Sequence, residues 1–330
     1  MEFISMSKIG QFRNTVKDIR EAAQFVSMDE NGDPIYRDIA LPTLTFIGTT
    51  KLHGTNASIA YDGNEIWAQS KNRIITPEED NAGFARFVDE NKEYFRNLLS
   101  SLYIGFPVAV FGEWAGDGIN SPAAIAKVKR SFFIFGVKAK DVGWLDLDIA
   151  LEEHPNVYKI TDFKQYSIDI DFNVPEFSQN KLVQMAEEVE NECPVAKEFG
   201  ISGIGEGLVF HAFFGNKLHR FKVKGEKHAK KCKIKKLQKV DDEKLQLIQD
   251  VAEKVTPIWR LDQMWNETFN IINGGAPCVT KTGDFLKKVF EDIIEEDSDI
   301  VENAGLTLKD INKKVAFIAK VYFTDRLNTL

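Results

Sequence analysis

Hydrophobic and polar positions along this chain fall into two textures. From residue 44 to about 224 the apolar residues form short runs or alternate with polar ones, as strands do; beyond about 240 they recur at helical spacing. Leu44-Thr45-Phe46-Ile47 and Ala57-Ser58-Ile59-Ala60-Tyr61 read as strands. Asp62-Gly63-Asn64 is a hairpin turn signal, with Glu65-Ile66-Trp67-Ala68 returning. Thr76, Pro77 and Glu79 supply the cap, first position and capping box of a helix that buries Phe84, Phe87, Phe95 and Leu98. Val108-Ala109-Val110-Phe111 and Phe132-Phe133-Ile134-Phe135 read as apolar strands. Leu182, Met185 and Val189 mark a peripheral helix over 178–192, and strands return at 207–213 and 217–224. Helices are expected over 241–255, 258–272, 284–296 and 307–327, the last with an Ile311, Val315, Ile318 stripe. Gly274-Gly275-Ala276-Pro277 marks a break between them. The change of texture predicts two domains, 1–240 and 241–330.

Length agrees, since 330 residues exceed one small core. No apolar run is long enough for a membrane span, and Met1-Glu2-Phe3-Ile4-Ser5 lacks a secretory pattern. Cys193, Cys232 and Cys278 are too far apart to suggest a disulfide framework or a zinc site, so a cytoplasmic setting is expected. The net charge of −8 argues against a protein that coats nucleic acid, but its distribution is uneven. Residues 217–239 hold eleven Lys/Arg against Glu226, a local +10 that leaves −18 for the rest. A solvated basic linker would share that composition. Continuity with the strand carrying Lys222 and Lys224 favours an anion-binding surface.

Candidate chemistry centres on Lys51-Leu52-His53-Gly54-Thr55-Asn56, just after the first strand. A lysine nucleophile must project from a rigid strand into a pocket, and glycine lets the following backbone approach a bound nucleotide. A free lysine of pKa about 10.4 is neutral roughly once in a thousand near pH 7.4, a deficit of about 4 kcal/mol. Neighbouring cations and burial reduce it. Lys222 and Lys224 alternate with Phe221 and Val223, so both ammonium groups project from one strand face. There they can offset charge on a phosphate under attack; on the solvent side they would be decoration. Glu113, and Glu206 among Gly203, Gly205 and Gly207, are the candidate acids, and one or two carboxylates suffice for magnesium. The Gly203–Gly207 string has the wrong spacing for a dinucleotide loop, and no complete P-loop pattern exists. His53 shares the strand face of Lys51 and should border the same ligand.

Taken in order, these elements resemble the covalent nucleotidyltransferase superfamily of ligases and capping enzymes. The likeness is strongest to the nick-sealing, double-strand type of ATP-dependent RNA ligase, the RNA ligase 2 family. Residues 51–56 match its K-x-H-G-T-N motif, and Phe111-Gly112-Glu113-Trp114-Ala115-Gly116 its F-G-E-[FW]-A-G segment. Phe132–Phe135 resembles its aromatic strand, Glu206-Gly207-Leu208-Val209 its E-G-[YL]-V strand, and Phe221-Lys222-Val223-Lys224 its closing K-x-K strand. The resemblance implies an α+β fold: a nucleotidyltransferase (ATP-grasp-like ligase) domain of antiparallel sheets and helices, then a small all-helical carboxy-terminal domain. It implies ATP as AMP donor, Mg2+ or Mn2+, and a lysyl-Nζ–AMP intermediate on Lys51. His53, Glu206, Lys222 and Lys224 complete the catalytic set. Thr50, Lys51, Leu52, Asn56, Lys71, Glu113, Phe135, Glu206, Lys222 and Lys224 are the nucleotide contacts, with Phe135 on the adenine, Glu113 on the ribose, and Glu206 and Glu113 toward the metal. The substrate implied is RNA with 3′-hydroxyl and 5′-phosphate ends, a nicked duplex among the possibilities, handled by a monomer, including one encoded by a phage. His219, His228 and the basic run to Lys239 are candidates for the RNA backbone.

Three positions depart from the family pattern. Gly136 follows Phe135 where an acid is frequent, Lys71 replaces an arginine that Arg73 could supply instead, and Thr50 precedes the nucleophile in place of an acid. A DNA ligase or a capping guanylyltransferase shares the chemistry, but these carry strands, not helices, in the appended domain. A nucleotide- or RNA-binding relative without turnover is the remaining alternative.

Overall fold

Alternating apolar residues build two sheets in the amino-terminal part of the chain. The computed structural model describes all residues except 29–33, 38, 103–104, 121, 147–148, 226–239, 270, 272–274 and 330. In chain order the strands are β1 (Phe25–Met28), β2 (Pro34–Tyr36), β3 (Thr43–Thr50), β4 (Thr55–Tyr61), β5 (Ile66–Ser70), β6 (Ile74–Ile75) and β7 (Val108–Ala115). They continue as β8 (Ser131–Ala139), β9 (Gly143–Leu145), β10 (Val157–Lys159), β11 (Gln165–Asp171), β12 (Gly207–Phe214) and β13 (Lys217–Lys224). The larger sheet has the order β10-β8-β7-β4-β5-β6, with β9 also on β8; the smaller is β11-β3-β12-β13. Of these, β8-β7, β7-β4, β4-β5, β5-β6, β8-β9, β3-β12 and β12-β13 pair antiparallel, and β10 on β8 is parallel. The expected mixed fold of antiparallel sheets with a carboxy-terminal helical region is what the chain adopts.

By their contacts the described residues form two units. One takes those of Met1–Ile19, Leu44–Ile170 and Ser178–Gln238; the other takes those of Arg20–Thr43, Asp171–Phe177 and Lys239–Leu330. In the first unit Phe46, Phe210 and Phe221 are fully buried on one face of the smaller sheet, with Phe210 and Phe221 stacked 5.2 Å apart. Phe12 of α1 (Phe12–Gln24) adds its ring to Phe221. Each such side chain contributes about 1.5–3 kcal/mol through burial. Gly48 is required here, because a Cβ would lie 2.5 Å from the Phe210 ring. The period of two therefore leaves Val209, His211, Arg220, Lys222 and Lys224 on the opposite face. Helix α2 (Phe84–Glu90) and helix α3 (Lys92–Ser100) pack Phe84 and Phe95 against Phe132 and Trp114 of the larger sheet.

The segment preceding α1 runs along the larger sheet and is held by Gln69. That buried side chain accepts from the Ile4 and Trp67 N–H groups and donates to the Ile4 carbonyl and to Ser58 Oγ. A fully satisfied buried amide of this kind fixes the start of the segment, whose far end is tied to β13 by the Lys222 N–H donating to the Gly10 carbonyl at 3.2 Å.

One helix begins later than its sequence signals indicate. Thr76 Oγ1 does accept the Glu79 N–H, at 3.3 Å, but only as an isolated turn. Asp80 takes the helix-start donors, accepting from Ala85 at 2.7 Å and Arg86 at 3.2 Å, and a charged acceptor outcompetes a hydroxyl. The helix therefore starts at Phe84 after a left-handed Gly83, and Asn91 splits it in two. Helix α4 (Gln179–Asn191) buries Leu182 and Val189 as expected, and α5 (Pro194–Glu198) follows.

The second unit contains helices Asp242–Val255, Ile258–Phe269, Thr282–Glu296, Ser298–Asn303 and Leu308–Asn328. Their apolar stripes meet in a core of Val251, Leu261, Trp265, Phe285, Val289, Ile311, Val315 and Phe323. Asp241 caps the first through the Lys244 N–H, and Thr307 with Asp310 forms a capping box on the last. Among the described residues no helix is long and apolar enough to cross a membrane.

Candidate active site

Strand β3 delivers Lys51. Its last rung is the Lys51 N–H donating to the Gly207 carbonyl at 2.8 Å, which sets the lysine beside the start of β12, and Gly207 in turn opposes Lys224. Three ends of one small sheet thus converge on Glu206. Lys51 Nζ lies 2.8 Å from Glu206 Oε2, Lys224 Nζ 2.5 Å from Oε1, and His53 Nδ1 3.3 Å from Oε2. Glu206 is 3% exposed, whereas the two lysines are 22% exposed, so the carboxylate is the anchor and the ammonium groups remain reachable.

The two acids lie in opposite environments. Burial works to raise the Glu206 carboxyl, but the Lys51 charge and the hydrogen bonds from Lys224 and Lys51 outweigh it and hold it at about 2. Burial pushes the Glu113 carboxyl up to about 7, with the Glu206 charge adding to that, against the lowering by Lys51, the Gly54 N–H and Lys71. Lys222 is held below the usual lysine range by burial first, then by the charges of Lys224, Lys51 and Lys8.

A cavity of about 1100 Å³ opens on this cluster. Thr50, Lys51, Leu52, Asn56, Lys71, Glu113, Phe135 and Lys222 all line it, while Glu206, Lys224 and His53 join through their bonds around Lys51. Phe135 shares the cavity-lining face of Phe133 by simple alternation, opposite to Phe132 and Ile134 in the core. Phe111 pairs with Gly136 but Gly112 pairs with Ile134, so Phe135 is the extra residue of a β-bulge, after which the alternation shifts and Val137 returns to the core. Lys71, not Arg73, lines the cavity; Arg73 is engaged with Glu79 and the Ile74 carbonyl. Asn56 donates to Met6 Sδ, Thr50 is buried with its hydroxyl unpartnered, and Leu52 belongs to an apolar cluster beneath the site.

Gly54 lines the cavity and is needed for protein packing as well: a Cβ there would lie 2.4 Å from the Trp114 carbonyl and 2.8 Å from Ala115 Cβ. Gly205 and Gly207 likewise press on the backbone at Val189 and Val223. The space beside Gly136 is taken by Trp144, whose ring would be 3.0 Å from a Cβ. His219 faces the core at 4% exposure, on the parity of Phe221 and Val223, and so does not meet a ligand. The nearest charged partner of the Lys51 amine is the Glu206 carboxylate, which joins the cations expected around it. His228 and the basic run over 226–239 lie outside the described residues.

Among the described residues no three His, Cys, Asp or Glu side chains gather as a metal site. Glu113, half-buried with Oε1 on the Gly54 N–H, and Glu206 fit a magnesium-type ion that shares one or two carboxylates with phosphate oxygens and water. Residues that the sequence reading missed are Arg220, Val209 and His211 on the sheet face, and Ser7 and Lys8 from the amino-terminal segment. The period of two from Lys222 points to Arg220; nothing local marks Ser7 or Lys8.

Residues 44–224 match the family model for RNA ligase, and the chain belongs to the RNA ligase family. No curated protein sequence matches it. Among solved structures it is similar to a Naegleria gruberi RNA ligase mutant with ATP and Mn, at 18% identity and a TM-score of 0.44, over 70% of this chain and 59% of that one. The same Naegleria enzyme with pyrophosphate gives 19% identity and 0.44 over 70% and 58%. A further mutant form with AMP and Mn gives 18% and 0.43 over 70% and 58%. The match thus spans less than two thirds of that enzyme.

Proposed function

We propose that this protein is an ATP-dependent RNA ligase that joins 3′-hydroxyl and 5′-phosphate RNA ends through lysyl–AMP at Lys51 and an adenylylated RNA 5′ end. The observation that carries this is the Lys51 amine, tethered by a buried Glu206 and open to a large cavity walled by Lys222, Glu113 and Phe135. Lys51 gives up its ammonium proton to water in the cleft, while Glu206 Oε2, with His53 on the same oxygen, holds the amine in position. The neutral nitrogen attacks the α-phosphorus, forming a P–N bond and losing a second proton. The bond to the β-phosphate oxygen breaks and pyrophosphate leaves. Lys222 and Lys224 offset the charge that develops on the phosphate. A 5′-phosphate oxygen of the RNA then displaces Lys51 from the adenylyl phosphorus. Finally the 3′-hydroxyl attacks the 5′-phosphate, its proton leaves, and AMP departs. Mg2+ or Mn2+, held by Glu113 and Glu206 with the phosphates, would supply further charge neutralisation.

Residues 1–240 would form the adenylylation domain, and the helices from 241 onward would engage the RNA; likeness to nick-sealing enzymes supports a nicked duplex as substrate. Incubation with α-labelled ATP and magnesium should leave label on the protein after denaturation, lost in Lys51→Ala. No label from ATP, GTP or NAD would overturn the reading. Deletion after about residue 240 should spare labelling but impair sealing, with matched nicked and single-stranded RNA resolving the strand preference.

A further inference from the structure

The loop between β6 and α2 holds an uncommon backbone. Ala82 and Gly83 lie side by side in the left-handed region, at φ of 54° and 82°. Gly83 adopts it freely, but an alanine there presses its Cβ on the backbone, and only surrounding contacts keep it so. Those contacts are many. The Asp80 carboxylate accepts from the Asn81, Ala85 and Arg86 N–H groups, and the Asn81 carbonyl accepts from the Phe84 N–H. The Ala82 carbonyl accepts from Trp114 Nε1 at 2.9 Å and from Arg130 Nη1 at 3.3 Å. Strain held in place from several sides collects where a segment has a task.

What this loop delivers is one side chain. Asn81 Nδ2 donates to Thr55 Oγ1 at 3.0 Å. Thr55 opens β4 directly after the Lys51 turn, pairs with Trp114 of β7, and lines the cavity with Lys51, Gly54, Asn56 and Lys71. Trp114 therefore fixes both sides of the contact, Thr55 through the sheet and Ala82 through its indole. A threonine hydroxyl has one proton and two lone pairs. With the amide donating to it, the hydroxyl proton is not spent on Asn81, and among the described residues no other group takes it. Accepting a hydrogen bond also polarises the O–H and makes it a better donor. The half-buried pair thus presents an oriented O–H in a cavity that two cations, Lys51 and Lys71, also line.

We propose that Asn81 is a positioning residue: it sets the direction of the Thr55 hydroxyl so that this group donates to an oxygen of the bound substrate. The inference rests on the reading of the site as a ligase. An oxygen of the nucleotide and an oxygen of the RNA end offer the same acceptor chemistry, and the two half-reactions tell them apart.

The experiment is a double-mutant cycle on the full chain, Asn81→Ala, Thr55→Val and the pair, with Asn81→Asp and Thr55→Ser beside them. Two rates are read: lysyl–AMP formation at saturating ATP, and joining of chemically pre-adenylylated RNA. Asn81→Ala and Thr55→Val should each slow the affected step about threefold to tenfold, the range of one hydrogen bond. The pair should be no slower than Thr55→Val alone, because the amide acts only through the hydroxyl. Thr55→Ser, which keeps the hydroxyl, should hold most of the rate. Asn81→Asp exchanges a donor for an acceptor, draws the Thr55 proton to itself and should slow the step at least as much as Thr55→Val. A deficit in lysyl–AMP formation gives the acceptor to the nucleotide, and one confined to joining gives it to the RNA end; both bear out the role of Asn81. Additive losses in the pair, or full activity in Thr55→Val, would overturn it. If Asn81→Ala does not fold, Thr55→Val against Thr55→Ser decides whether the hydroxyl is needed, and Asn81→Asp, of the same size as the native residue, decides its direction. A wild type that neither takes label nor joins ends would sink the ligase reading instead, and the cycle would then be read in calorimetric ATP affinity.

Discussion

In the cleft a carboxylate, Glu206, sits between two ammonium groups, Lys51 and Lys224; in the helical unit a guanidinium, Arg260, sits between two carboxylates, Asp292 and Asp297. The central ions are equally buried, at 3% and 2% exposure. Their surroundings differ. Arg260 also donates to the Val255 carbonyl and is enclosed by helices, so its donors are spent on holding chain ends together. Glu206 holds Lys51, whose side chain lines a cavity of about 1100 Å³. A buried ion with two counter-ions is a fastening when the partners are immobilised, and a reactive site when one partner can leave. Removing one member of an enclosed pair strands a charge, whereas a cleft can readmit water.

That contrast can be broken by mutation. Lys51→Ala should abolish lysyl–AMP formation, a loss of roughly a thousandfold or more as for other nucleophile deletions, with little change in melting temperature. A drop in stability as large as that from Arg260→Ala would erase the distinction. Arg260→Ala should destabilise the helical unit by about 3–5 kcal/mol in urea titration, while labelling per folded molecule is retained. If adenylylation failed in that variant under conditions where it remains folded, Arg260 would belong to the chemistry after all.

The two cleft acids sharpen the comparison through pH. Glu113 is raised to about 7 from 4.5, so the unfolded chain ionises first; its contribution to stability is complete below pH 4.5 and is lost as pH rises to 7. The total is on the order of 3 kcal/mol, and Glu113→Gln should flatten that slope in melting curves recorded across the interval. Glu206, lowered to about 2, acts in the opposite sense: its contribution is complete above pH 4.5 and is lost as pH falls toward 2. Parallel slopes in the two Gln variants would show that their environments are alike. The smallest effect belongs to the last helix, where Thr307→Ala should cost about 1 kcal/mol by opening the capping box with Asp310, measurable by urea titration.

What sequence could convey here was periodicity and order. Alternation around Phe221 and Val223 gave the correct face for Lys222 and Lys224, and the same parity explains why His219 is a core residue. Helical spacing located the carboxy-terminal helices to within a few residues at most ends. Competition between local acceptors was not legible: Thr76 and Asp80 both offer a helix start, and only the folded chain shows that the carboxylate takes the donors. Nor was the bulge at Phe135, which shifts the alternation so that Val137 returns to the core, because it depends on register across β7 and β8. Gly54 illustrates the same limit. Its motif position suggested a ligand, and it does line the cavity, but its close packing on the Trp114 carbonyl was not legible, 113 to 115 being far away in sequence. Ser7 and Lys8 carry no local signal, since their place is fixed by Gln69 gripping Ile4.

The Glu206 bridge has one more consequence if Lys51 is the group that captures adenylate. Once its nitrogen becomes a phosphoramidate, Lys51 no longer bears a proton to share as a cation, and Oε2 of Glu206 gives up its strongest tie while Lys224 keeps Oε1. The acid is then a half-released acceptor in a dry corner, its affinity for a proton or a metal raised by the very modification beside it. Charging the enzyme would thereby retune the site for the strand that discharges it.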